Sequence, residues 1–462
     1  MTGGFRCDKE DAMNKKDNVT TGFHGLTRRR FLQISALAAA AGLVPFYGCA
    51  VDPVTGKKQI MMLTRDQEIA IDRQQSPFQF SSDYGIIQDE ALNQYIHQVG
   101  RDLVPFSHRP DMPYNFQCVN ATYINAYAFP GGSIAVTRGI LLSLENEGEL
   151  AALLGHELGH VNARHTAEQV SKSQLSSLVV GGLSILADSQ AKGLGNLTQQ
   201  LGALGQGLYL AKYSRDNERE ADFLGHDYMV KAGYGSPGFV GLMEMLNSLN
   251  KQQPSSAQIL FSTHPMSHER LDAAVQRNQG PYAGTRNQPV FRERYMDRTA
   301  ALRQRKKAIE LMQEGEKYLA QEKYDAAQTA FSSALKQAGD DYAGHVLMAK
   351  CQLIQKKNAE AASYAAAAIQ LYPTESQGHY MAGLAHVGTR QFDRALDNFT
   401  RCDQLLPGNP QLTFYKGYCR DNLGQRQAAA NDYADYLKMV DYQSNQYSQH
   451  AYKRLKEWGY AQ

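Results

Sequence analysis

The chain has 462 residues, of which 43% are hydrophobic, 20% charged and 10% aromatic, and 48 basic residues nearly balance 46 acidic ones. The apolar content excludes bulk disorder, the single long apolar run excludes a polytopic membrane protein, and the balanced charge excludes a dedicated nucleic-acid binder. Six cysteines are too few for a disulfide-built scaffold, and one domain per roughly 150 residues suggests about three units.

Residues 1–48 read as an export signal. Arg28, Arg29 and Arg30 precede an apolar stretch from Phe31 to Val44. At about 14 residues it suits a signal core and falls short of the ~20 that a membrane span needs. Paired arginines followed by Phe31-Leu32 resemble a twin-arginine signal, a route for folded cargo. Gly48-Cys49 resembles a lipoprotein cleavage site, with Phe46 and Tyr47 where small aliphatic residues are usual. Lipidation of Cys49 would anchor the mature chain to a membrane. Plain cleavage near this point and an uncleaved anchor are the alternatives. By resemblance to such lipoproteins, Ala50 in place of an aspartate after Cys49 favours the outer membrane.

Residues 53–300 mix helical spacing with one strand region. Asp66 to Arg73 and Ala91 to Leu103 carry apolar residues at helical intervals, and Pro105 to Pro113 interrupts them. From Phe116 to Thr137 the period drops to two around a Gly131-Gly132 turn, which predicts paired strands. Glu147 to Glu168 predicts one long helix. Tyr213 to Ala232 predicts another, stopped by Gly233. Between them, Leu175 to Leu210 has apolar runs too short for a span and reads as packed helices. Residues 281–300 read as a linker passing into helix.

His156-Glu157-Leu158-Gly159-His160 lies inside the predicted helix at 147–168. Two histidines four residues apart project from one helix face, where both imidazoles can bind one zinc. Glu157 can reach a metal-bound water, whose pKa zinc lowers to about 7, and take its proton. Leu153, Leu154, Leu158 and Val161 surround the pair. A buried histidine pair costs free energy unless something ligates or bonds it, which argues against a mere surface helix. A zinc hydrolase needs a third protein ligand. Glu218 and Asp222, four apart, share a face of the second predicted helix, while Glu220 points elsewhere. Glu218 would complete the metal set. Asp222 would accept the N–H of a ligating histidine and fix its tautomer. A solvated charged helix is the alternative.

From about residue 308 the chain repeats with the tetratricopeptide period of 34 residues. Small residues recur at Gly315, Ala349, Gly383 and Gly417, and alanines at Ala327, Ala361, Ala395 and Ala429. Aromatic residues follow at Phe331, Phe399 and Tyr433, with Ala365 as the exception. The register predicts repeats at about 308–341, 342–375, 376–409 and 410–443, then a capping helix. Small residues let paired helices approach, and each repeat buries its face on its neighbour. Cys402 and Cys419 fall on successive helices, where a disulfide and plain packing are both open.

His156-Glu157-x-x-His160 with Glu218-x-x-Ala221-Asp222, Asn125-Ala126, Pro130-Gly131-Gly132, Arg164-His165 and Ser214-Arg215 resembles the gluzincin metallopeptidase family of the CAAX prenyl protease and the heat-shock protease HtpX. With a leader and tetratricopeptide repeats, the chain is similar to the periplasmic BepA-like branch. The likeness covers residues 53 to about 280, and the repeats are a second, more generic match.

The resemblance implies a mainly α fold with a small β-sheet: a signal at 1–48, an α+β zincin-type peptidase domain at 49–300, and an all-α repeat solenoid at 301–462. It implies one zinc per chain on His156, His160 and Glu218, with Glu157 as the catalytic base. It implies that the strand from Ser133 through Ile134 and Ala135 to Arg138 takes an extended substrate on a free edge. Asn125, Ala126, Gly131 and Gly132 would lie beside that substrate; an ordinary hairpin is the alternative. The segment Thr263-His264-Pro265 with Arg270 also fits the family pattern. His264 would donate to the oxyanion or close the metal's open position as a latch. Arg270 would stabilise the same charge or pair with a site carboxylate. His165 reads as a packing residue or a support for a ligand, and His108, His226 and His268 as ordinary histidines.

The implied activity is a zinc-dependent endopeptidase of the periplasm, lipid-anchored to the outer membrane, acting in quality control or assembly of outer-membrane proteins. Unfolded or misassembled proteins would be its substrates. The repeats would recruit them or an outer-membrane assembly machine, with no nucleic-acid partner. A chaperone-like assembly scaffold with latent peptidase activity is the alternative.

Overall fold

The computed structural model describes residues 49–51, 54, 56, 58–60, 63–169, 171 and 212–460. The signal at 1–48, the side chain of Cys49 and the packed helices read at Leu175 to Leu210 lie outside the described residues. No helix among the described residues is long and apolar enough to cross a membrane.

An antiparallel ribbon of β1 (Cys49–Val51) and β2 (Lys58–Ile60) comes first. Helix α1 (Arg65–Ser82) runs well past the predicted Arg73; Thr64 and Gln67 cap its start reciprocally. Helix α2 (Glu90–Leu103) begins where Asp89 accepts from the Leu92 amide. Leu92, Tyr95, Ile96, Val99 and Leu103 form its buried stripe at helical spacing.

Three strands follow: β3 (Asn115–Val119), β4 (Ala126–Ala128) and β5 (Ser133–Thr137), in the order β3-β5-β4. Strands β4 and β5 form the expected hairpin, with Tyr127 opposite Ala135. Strand β3 pairs with β5 in parallel, Phe116 opposite Ile134. This corrects the expected free edge along Ser133, Ile134 and Ala135. Strand β5 is central, both its sides are paired, and Ile134 and Ala135 are fully buried. Gly131 is also not kept small for a substrate. A Cβ there would stand 2.5 Å from Asp72 Cβ, so the close approach is to α1. Gly132 takes φ +108°, which a side chain would resist.

A single turn, α3 (Arg138–Leu141), leads to α4 (Glu147–Asn162), which holds the histidine pair. Every residue of α4 is buried, as in a helix at the centre of a core. The predicted continuation to Glu168 breaks. Ala163 caps the helix and Arg164 turns left-handed at φ +59°. After the undescribed stretch come α5 (Arg215–Lys231), α6 (Pro237–Gln252), α7 (Gln258–Thr263) and α8 (His268–Gln279). Helices α4 and α5 meet backbone to backbone. A Cβ on Gly225 would stand 2.6 Å from His156 N, and one on Gly159 would stand 2.9 Å from Ala221 O.

Helices α9 (Arg292–Arg298) and α10 (Ala300–Gln304) are packed rather than a free linker: Tyr295 is fully buried and donates to Leu141 O at 2.6 Å. Helix pairs follow: α11 (Lys306–Ala320) with α12 (Tyr324–Gln337), α13 (Tyr342–Ile354) with α14 (Asn358–Leu371), α15 (Ser376–Gly388) with α16 (Phe392–Leu405), and α17 (Pro410–Asn422) with α18 (Arg426–Met439). Helix α19 (Gln446–Glu457) closes the array. A Cβ on Gly383 would stand 2.5 Å from the Phe399 ring, and Gly315 faces Phe331 in the same way. The recurring small residue therefore makes room for the aromatic ring of the paired helix. Cys402 and Cys419 are free and buried, which decides between disulfide and packing.

One apolar core runs from Tyr84 through α4 to Cys419 and joins the two halves. Buried polar bonds cross the same seam. Arg138 binds Asp341, Thr122 donates to Glu316, and Ser81 donates to Glu375 at 2.5 Å.

Candidate metal centre

Ser214 caps α5 and bonds the Asn217 amide, which puts Asp216 and Glu218 in the first turn, where the helix dipole favours negative charge. The glycine contacts between α4 and α5 then bring Glu218 beside the two histidines of α4. His156 Nε2 and His160 Nε2 lie 3.1 Å apart. Glu218 Oε1 is 3.3 Å from His160 Nε2, and Glu218 Oε2 is 3.7 Å from His156 Nε2. Ligand atoms at about 2.0–2.1 Å from one tetrahedral zinc stand about 3.3 Å from each other, so this donor set fits zinc.

His264, at the end of α7, adds a fourth donor. Its Nδ1 is 3.0 Å from Glu218 Oε1 and 3.5 Å from His156 Nε2. The ligand atoms of His156, His160, Glu218 and His264 all lie within 4.8 Å of one another, and all four residues are buried. These distances put His264 Nδ1 among the candidate donors.

Arg270 sits against the donors and binds two carboxylates. Its Nε and Nη2 bind Asp222 at 2.6 and 2.7 Å, and its Nη1 is 2.5 Å from Glu218 Oε2. All three nitrogens meet carboxylates, the pairing that the sequence offered as one of two readings of Arg270. Asp222 Oδ1 lies 3.0 Å from His156 Nδ1, off the axis of a straight hydrogen bond.

The electrostatics follow from burial and these pairs. Burial holds the His160 imidazole neutral, as a ligand must be. Burial opposes ionisation of Glu218 and Asp222, but the charges of His264 and Arg270 at Glu218, and of Arg270 at Asp222, hold both carboxyls below the usual range. Burial pushes the Glu157 carboxyl up. Glu157 Oε2 is buried with no hydrogen-bond partner among the described residues, and Oε1 is 3.9 Å from His264 Nε2. Beside it, a cavity of about 20 Å³ is bounded by Leu153, His156, Glu157, His264, Met266 and Arg270. That is room for roughly one water.

Tyr213 was not singled out by the sequence. Its ring stacks on His160 at 3.7 Å and 23°, and its amide donates to Thr263 O at 3.0 Å. An aromatic residue directly before the Ser214 cap was its only sign. His165 lies against His160, Nδ1 to Nδ1, at 2.9 Å. His226 stacks on Phe239 and bonds Ser236, His108 bonds Tyr228, and His268 is exposed, so none of these joins the site. Asn125 is fully buried next to β4, and neither its Oδ1 nor its Nδ2 has a partner among the described residues. Ser133 donates its amide to Asp72 Oδ2 at 2.8 Å.

The sequence profile of peptidase family M48 matches residues 90–278, and a tetratricopeptide repeat profile matches residues 312–376. The chain is 31% identical over 255 residues to the beta-barrel assembly-enhancing protease of Yersinia pestis, covering 53% of this chain and 51% of that one. It is 34% identical over 158 residues to the metalloprotease YcaL of Escherichia coli (strain K12), covering 34% of this chain and 59% of that one. It is 29% identical over 247 residues to the mitochondrial metalloendopeptidase OMA1 of Schizosaccharomyces pombe, covering 53% of this chain and 71% of that one. The chain spans about half the length of the Yersinia relative. Residues 90–278 are thus a peptidase family M48 domain, and tetratricopeptide repeats follow it in the same chain.

Proposed function

We propose that the chain is a zinc-dependent endopeptidase. One observation carries this reading: the ligand atoms of His156, His160 and Glu218 converge beside a buried Glu157 oxygen that has no hydrogen-bond partner among the described residues. Zinc held by those three residues would polarise the scissile carbonyl and make water a better acid. Glu157 takes the proton of the attacking water and passes it to the leaving amine. Its raised carboxyl suits both steps. Arg270 holds Glu218 and Asp222 in place, and Asp222 holds His156.

Strand β4 is an edge of the described sheet, and an extended substrate would join it there. Thr137 N donates to Asn125 O, and Phe129 N donates to Ser133 O, both toward β5. Antiparallel alternation then turns the main-chain groups of Ala126 and Ala128 outward. A peptide added there would be held by main-chain bonds with little choice of sequence, and the Asn125 amide would supply two more. Such recognition suits unfolded or misassembled proteins. The name of the Yersinia relative, together with the repeats, supports a role in quality control or assembly of outer-membrane proteins. In that role the chain works in the periplasm, Cys49 carries a lipid anchor to the outer membrane, and the repeats bind substrate or the assembly machine.

His264 supports a second reading, in which peptidase activity is latent and the chain acts chiefly as a binding scaffold. Its imidazole stands where an open metal position would be needed.

The test is zinc content and casein cleavage, side by side, for the chain and its Glu157→Gln variant. The proposal expects about one zinc in each and cleavage by the parent alone. If neither binds zinc, the proposal is wrong. Zinc in both and cleavage in neither favours the latent reading.

A further inference from the structure

Four carboxylates leave the first turns of α5, of which Asp216 lies at the exposed start. Glu218 faces the ligand atoms, and Asp222 faces His156 Nδ1. Helical spacing sends Glu220 to another side, yet it returns to the centre through His165. His165 Nε2 lies 3.1 Å from Glu220 Oε2, and His165 Nδ1 lies 2.9 Å from His160 Nδ1.

Two imidazole nitrogens share a hydrogen bond only when one of them carries the proton. For His160 to offer its Nε2 lone pair to a metal, its proton must sit on Nδ1. His165 Nδ1 then accepts. That leaves the His165 proton on Nε2, where Glu220 accepts it in turn. Given that premise, the chain of three residues has one consistent arrangement of its protons.

Local structure explains why this contact exists. On an unbroken helix, five residues turn about 500°, leaving His165 about 140° around the axis from His160. Arg164, left-handed at φ +59°, folds the chain back instead. Its guanidinium is held in that turn by Glu68 Oε1 at 2.7 Å and Leu63 O at 2.7 Å.

We infer that Glu220, acting through His165, is a positioning residue for His160, fixing its tautomer and ring plane for zinc. The inference rests on the reading of His156, His160 and Glu218 as the metal ligands. The two histidine ligands are then oriented separately, His156 by Asp222 and His160 by Glu220 across an intervening ring. Glu220 is 26% exposed while His165 is buried, so Glu220 can be altered without opening a hole in the core.

The experiment uses the full chain stripped of metal, with zinc alone as the probe and a chelator of known affinity as competitor. Parent, Glu220→Ala, His165→Phe and the double variant are compared. Glu220→Ala is expected to weaken zinc binding about 10–100-fold. Its unfolding midpoint without metal stays at the parent value, which a merely structural role would not allow. His165→Phe weakens binding at least as much. The double variant is no worse than His165→Phe, because Glu220 acts only through that ring. Zinc affinity of Glu220→Ala within about twofold of the parent, or independent effects that add in the double variant, would overturn the inference. A parent that binds no zinc defeats the ligand reading itself, and this inference with it. A zinc-binding parent with an unaffected Glu220→Ala defeats this inference alone.

Discussion

Arg138 and Asp341, 203 residues apart in sequence, are bonded twice in the core: Nη1 to Oδ2 at 2.6 Å and Nη2 to Oδ1 at 3.1 Å. The first residue follows the central strand of the peptidase sheet, and the second caps the first turn of α13 through the Gly344 amide. Removing the guanidinium would strand a buried charge.

Arg138→Met is therefore expected to cost about 3–5 kcal/mol of stability near neutral pH. The pH dependence has a definite sign. Burial opposes ionisation of Asp341, but Arg138 outweighs it and holds the carboxyl below its usual range. In the parent this contribution is present above the unfolded aspartate value of about 3.9 and is lost as pH falls through the lower folded value. In the variant burial is opposed only by the Gly344 amide and the Arg305 charge, so protonation relieves the stranded charge. Denaturant unfolding at about pH 5 and about pH 8 should show a smaller deficit at the lower pH. An equal deficit at both would remove Asp341 from the explanation.

Gly225→Ala tests how the two helices that carry the candidate metal ligands meet. The added Cβ would face His156 N at 2.6 Å and Gly155 C at 2.7 Å, both backbone atoms that cannot rotate away. The helices must part, at a cost of about 1–3 kcal/mol. Glu218 moves off with α5, so zinc affinity should fall about tenfold or more, measured by chelator competition. Unchanged affinity would mean that the contact does not set the ligand spacing.

His264→Ala separates latch from oxyanion donor. As a latch, His264 lowers the fraction of chains competent for catalysis, and its removal should raise casein cleavage about threefold to tenfold. Zinc content should not change, because His156, His160 and Glu218 remain. A fall in kcat at unchanged zinc content would assign the donor role instead.

Asn125→Ala probes the substrate edge. Both amide atoms of Asn125 lack partners among the described residues, so truncation breaks no internal bond among them. The unfolding midpoint should hold while KM for a peptide substrate rises about tenfold. A lower midpoint with an unchanged KM would make Asn125 a packing residue.

What the sequence made legible was local or recurrent. His156 and His160 share a helix face because four residues make about one turn, and Glu218 with Asp222 obey the same rule. The repeats announced themselves because Gly315 and Gly383 meet Phe331 and Phe399 at the same offset. What escaped depends on distant pairing. Strand β3 binds β5 in parallel across an intervening strand, and no alternation within Ser133–Thr137 signals that neighbour. Glu220 looked idle because its partner ring is brought back by one left-handed residue, Arg164, itself held by Glu68 from α1. The stacking of Tyr213 on His160 likewise needs the fold that brings α7 against the site.

The shared core and the buried bonds across its seam bear on how far a recruited protein can roam. A flexible linker would let cargo sample many orientations before one met Glu157. Here the repeats and the histidine helix belong to one solid, so whatever docks on the array arrives on a fixed bearing. Changing the number of repeats would then re-aim the cargo rather than merely shorten its reach, and selectivity would reside in direction as much as in affinity.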